Sequence, residues 1–175
     1  MEYVKKLEKT VLGWLKNVPH LPASARKWLG DNVWWIVLVG VIFSAIAVLV
    51  AISGLFALIA ALSAVSSVYY VTGFYTGFDL LRAVVSLVFL ATIGIVLALS
   101  INPLKAKQKK GWVLLFLSLL INALSVVVTA LLSFSVFGFI GGILFGAIGI
   151  LIGAYFISEI HGEFEHKLKA KIKKS

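Results

Sequence analysis

Residues able to do chemistry are few in this chain, and they fall in three places. Ser118, Asn122, Ser125 and Thr129 follow one another at i, i+4, i+7 and i+11 in an otherwise apolar run, which puts all four on one face of a helix. Asp79 and Arg82 are spaced for an i, i+3 ion pair. His161, Glu163, Glu165 and His166 bring imidazoles and carboxylates together near the C-terminus.

Each set supports only modest chemistry. The Ser and Thr hydroxyls can bond the carbonyls one turn back, but the Asn122 amide has both donors and acceptors and is expensive to leave facing lipid. It is expected to point inward, as an interhelical hydrogen bond of about 0.6 kcal/mol or as the lining of a solute path. Asp79 reads as the N-cap of a helix, with Arg82 snorkelling or facing a water-filled cavity. The His and Glu residues lack a preorganised helix face and further ligands, so no metal site is expected. With no cysteine and no nucleophile beside a base, the reading is a chain without catalytic residues or cofactor, and so not an enzyme.

The elements that carry these residues are set by hydropathy. Of 175 residues 61% are hydrophobic and 13% charged, with a mean hydropathy of +1.07, far from the balance of a soluble domain. The expected fold is an all-α integral membrane protein, a four-helix transmembrane bundle with spans at about 33–62, 80–100, 112–134 and 138–157. The first run is too long for one perpendicular crossing and too short for two, so it must tilt, kink or protrude. With no apolar core before Val33, it would act as an uncleaved signal anchor. Residues 63–78, rich in Tyr and Phe among Ser, Thr and Gly, read as an aromatic belt on a loop or short turn at the far surface. Asn102 and Pro103 stop the second span, and only a tight turn at 135–137 separates the last two, which must form an antiparallel hairpin.

Flanking the bundle domain, taken as 31–158, are two basic segments. Residues 1–30 hold an amphipathic interfacial helix with Val4, Leu7, Val11 and Leu15 on one side and Lys5, Lys6, Lys9 and Lys16 on the other. Pro19 and Pro22 break it, and a short turn capped by Ser24 ends at Gly30. Residues 159–175 form a mobile polybasic tail. Six basic residues precede the first span, four (Lys105, Lys107, Lys109, Lys110) lie between spans two and three, and five are in the tail. With four spans all three groups share a side, so both termini are assigned to the cytoplasm.

A net charge of +9 outside the apolar runs points to membrane lipids, anionic on the cytoplasmic side, with Lys5, Lys6, Lys9, Lys16, Lys105, Lys107, Lys109 and Lys110 at headgroups. It does not form the folded basic surface that nucleic acid needs.

Small residues give the packing expectation. Gly138, Gly142, Gly146, Gly149 and Gly153 fall within about 80° of one another on the fourth span. Gly40, Ser44, Ala47, Ala51 and Gly54 make a matching seam on the first, and the two faces are expected to meet, within one chain or between chains.

The run Asn102-Pro103-Leu104, the lysines, Gly111-Trp112 and Leu114-Leu115-Phe116, followed by a glycine-rich last span and charged tail, resembles small four-span bacterial inner-membrane proteins of uncharacterised activity. The resemblance covers residues 80–160 and implies a topology but no activity. The function expected is that of a scaffold or accessory subunit, contacting another membrane protein or a second copy. The alternative is an oligomeric channel or facilitator for a small solute, lined by the polar face of span three.

Overall fold

A computed structural model describes residues 18–65, 70–133 and 135–164 together with Thr10 and Gly13, with the backbone alone for 62, 64–65 and 70–77. The amphipathic stretch carrying Lys5, Lys6, Lys9 and Lys16, and the tail lysines, lie outside the described residues.

The described chain is all-helical. Four helices follow one another: α1 Ala23–Val65, α2 Tyr70–Lys105, α3 Lys109–Leu131 and α4 Val136–Glu159. Each contains an apolar stretch long enough to cross a membrane. The chain is thus built as a multi-pass membrane protein. Outward side chains agree with this: Phe137 and Phe145 are 90% and 80% exposed, among many exposed Leu, Ile and Val, and only lipid makes such a surface favourable. At 1.5 Å per residue α1 is about 65 Å long against about 30 Å of hydrocarbon, so its ends stand outside the apolar layer.

Several expected boundaries move. Gly30 ends no helix; α1 runs through it, because its missing side chain admits the Glu163 chain, whose Cγ lies 2.8 Å from where a Cβ would be. Most of 63–78 is helical, which closes backbone hydrogen bonds within the segment, so Asp79 sits well inside α2 and caps nothing. Asp79 and Arg82 also form no ion pair among the described residues. Pro103 lies in the last turn of α2. That end closes with the Gln108 N–H donating to the Pro103 carbonyl (2.8 Å) and the Lys107 N–H to that of Leu104 (2.9 Å), a left-handed C-terminal cap with Lys107 at φ 54°.

The helices pack in chain order, α1 on α2, α2 on α3, α3 on α4. The α3–α4 hairpin is as expected, with the Ser135 hydroxyl accepting from the Gly138 N–H at the start of α4. The partner of the glycine face is not. Gly142, Gly146 and Gly153 lie against Ala130, Val126 and Leu119 of α3 in antiparallel register and Gly138 against Ser133 of the turn, while the α1 seam packs elsewhere, Ser44 on Gly94 of α2. A hairpin turn of a few residues makes α3 the obligatory neighbour of α4, and connectivity decides over the complementarity of two small faces.

Helices α1 and α4 approach at the end of the α2–α3 loop, where Val33 and Ile36 face Phe156 and Ile157 across a cleft. The core sits there: Val33, Val37, Leu104, Trp112, Leu115, Phe116, Ile160 and Phe164. Packing therefore continues past 158, because Ile160 and Phe164 are buried members of this cluster rather than the start of a tail.

Candidate functional site

The polar groups of the structure gather over that core. Pro19 to Arg26 crosses the end of α4 and is pinned by Glu159, whose side chain is 1% exposed. Its carboxylate takes His20 Nδ1 at 2.6 Å and the Leu21 N–H at 3.0 Å, with Arg26 Nε further off at 3.9 Å. One turn back, the Tyr155 hydroxyl donates to the Pro19 carbonyl (2.8 Å). A buried carboxylate is tolerable only when paired in this way.

Beside it the α2–α3 loop makes a second clip. Lys107 reaches α1, where Nζ donates to the Gly30 carbonyl, pairs with Asp31 at 2.8 Å and lies 5.4 Å from the Phe164 ring centroid. Lys105 lies 5.0 Å from the Trp34 ring centroid. Below them Trp112 stacks on Phe116, meets the His161 ring edge-on at 4.5 Å, and donates Nε1–H to the Ile157 carbonyl (2.7 Å).

Three clefts adjoin these helices. The polar one, about 320 Å³, is lined by His20, Arg26, Ser158, Glu159, His161 and Glu163 among others. A second of about 320 Å³ is wholly apolar, between Val33 and Ile36 of α1, Leu115 of α3 and Phe156 of α4. The third, about 450 Å³, runs between α1 and α2 along Ser44, Val48, Gly94 and Ala98. The Ser44 hydroxyl there is buried without a hydrogen-bond partner among the described residues.

The sequence-selected residues separate on this frame. In the polar stripe, Ser118 and Thr129 bond their own carbonyls, of Leu115 and Ser125, at 2.7 Å, and Ser125 is half-buried. Asn122, expected to be buried in the interior, is exposed and has no hydrogen bond among the described residues. Its neighbours on that face of α3, Leu115, Ser118, Val126 and Thr129, are buried or half-buried. Of the small residues, Ala47 and Ala51 are half-buried, while Gly40, Gly54 and Gly149 have no atom within 4 Å of the point a Cβ would occupy. Lys110 is exposed at the mouth of the loop and Lys109 is half-buried.

No group of three metal-ligating side chains occurs among the described residues. Sequence reasoning missed Glu159, His20, Tyr155 and Asp31 altogether. The one available signal was the acid itself, the first charged residue after a span with none. A scan against family models and searches of curated proteins and of solved structures find no match to this chain.

Proposed function

We propose that this chain is a non-enzymatic scaffold or accessory subunit of the bacterial inner membrane, with both termini in the cytoplasm. Its four spans act as a bundle fastened at the cytoplasmic end, and its N-terminal helix and polybasic tail rest on anionic lipid. One observation carries the reading. Among the described residues, Gly40, Gly54, Gly141 and Gly149 have no neighbouring atom within 4 Å of a would-be Cβ. Small residues let a foreign helix approach closely in lipid, which supports a partner span or a second copy at these positions. The apolar stretches carry no carboxylate or imidazole away from their ends, where Asp79 and Glu159 lie, which favours assembly over catalysis. Crosslinking and native mass of Gly40→Leu/Gly54→Leu and of Gly149→Leu in bilayers test it. Loss of association at unchanged helix content is expected, and wild-type assembly in both variants refutes the reading.

A second reading, a facilitator for a small solute, is favoured by the exposed Asn122 amide. Solute flux in liposomes that falls on Asn122→Leu would establish it, and flux equal to that of empty liposomes would remove it.

A further inference from the structure

The polar cleft differs in charge from the rest of its end of the molecule. In a chain of net charge +9, its walls carry Glu159 and Glu163 against a single Arg26, with His20 and His161. Glu159 is already satisfied by His20 and the Leu21 N–H. Two charged groups can take a further ligand. Arg26 pairs loosely with Glu159 through Nε at 3.9 Å, and its side chain is 43% exposed, which leaves its other guanidinium N–H groups able to meet an anion. Glu163 has its stem fixed against Gly30, while its carboxylate makes no ion pair among the described residues, since the nearby Lys107 is committed to Asp31 and the Gly30 carbonyl. Depth is marked by Trp28 and Trp35, both exposed on the same stretch of α1, the usual place of tryptophan at the headgroup layer.

One open cation and one open anion in a cleft at headgroup depth call for a ligand bearing both charges. A purely anionic headgroup would bind Arg26 but meet the field of Glu163, and it has better sites among the loop lysines. We propose that the cleft holds the headgroup of an aminophospholipid, its phosphate on Arg26 in a charge-assisted contact and its primary ammonium on Glu163. The inference rests on the membrane placement and not on the accessory role. It gives the α1–α4 end a specific lipid partner that the lysine clusters do not predict.

The full chain is reconstituted in nanodiscs of phosphatidylcholine containing equal minor fractions of phosphatidylethanolamine and phosphatidylglycerol, and retained lipid is read by native mass spectrometry. Retention of one phosphatidylethanolamine per chain is expected, about tenfold over either competitor, the worth of one charge-assisted hydrogen bond. Glu163→Gln should erase the preference over phosphatidylcholine, whose ammonium has no N–H, and Arg26→Gln should weaken retention of both zwitterionic lipids. Equal retention of the three lipids by the wild-type chain, or a preference for phosphatidylglycerol, overturns the proposal without any variant having to fold. So does a preference unchanged in both variants. Binding of soluble glycerophosphoethanolamine with no lipid retained overturns the lipid as source. A chain that fails to enter nanodiscs refutes the membrane placement, an outcome distinct from an embedded chain that does not discriminate.

Discussion

The indole Nε1 of Trp112 donates to the main-chain carbonyl of Ile157 at 2.7 Å, so the first turns of α3 are tied to the last turn of α4. Carbonyls in a last turn lack intrahelical partners, and Trp112 is itself fully buried at the centre of the core. Trp112→Phe keeps the stacking on Phe116 but strands that carbonyl, and should cost about 1–3 kcal/mol. Trp112→Ala opens a cavity as well and should cost about 3–5 kcal/mol. Unfolding in detergent, followed by circular dichroism, orders the two; a Trp112→Phe variant as stable as wild type would mean that the hydrogen bond contributes nothing.

The glycines of α4 should divide by face. At Gly146 a side chain overlaps Val126, whereas at Gly149 it meets open space. Gly146→Leu is expected to lower stability by about 1–3 kcal/mol through overpacking. Gly149→Leu should stay within about 0.5 kcal/mol of wild type as a monomer. Thermal melts in detergent separate these, and an equal loss at both positions would show a second helix seated on Gly149.

These faces also show how far the sequence could be read. Span count and the tight α3–α4 hairpin follow from hydropathy and loop length, quantities local to the chain. Gly30 and Lys107 show what was not legible. Gly30 carries an ordinary helix-stop signature, yet its absent side chain serves the contact with Glu163, which is distant in sequence. Lys107 occupies a left-handed position where glycine is the usual marker, so the helix end was placed at Asn102-Pro103 instead. The Glu159 latch was invisible for the same reason: its partners, His20 and Leu21, lie more than a hundred residues away.

Asn122 gives a test with two arms. Its amide makes no hydrogen bond among the described residues, so Asn122→Leu removes no pairing and deletes a polar group from the apolar layer. Stability should hold within about 0.5 kcal/mol or rise. A loss of more than about 1 kcal/mol would place a hydrogen-bond partner, from water or another chain, on the amide in the membrane. Flux measured on the same variant decides the facilitator reading independently of stability.

Lys107 sets backbone cost against side-chain gain at one position. Its left-handed conformation is unfavourable for a side-chain-bearing residue by about 1 kcal/mol, and in return Nζ reaches the Gly30 carbonyl and Asp31. Asp31 is 52% exposed against 16% for Lys107, so the ion pair is half-screened and the carbonyl contact should dominate. Asp31→Asn is therefore expected to be the mildest of these changes, and milder still at high salt. Lys107→Met retains the strained backbone while losing both contacts, for about 1–3 kcal/mol. Lys107→Gly loses the same contacts but relieves the backbone, and should be the milder change by about 1 kcal/mol. If unfolding measurements put Lys107→Gly below Lys107→Met, packing of the aliphatic stem outweighs the backbone term, and the clip works by packing rather than by charge.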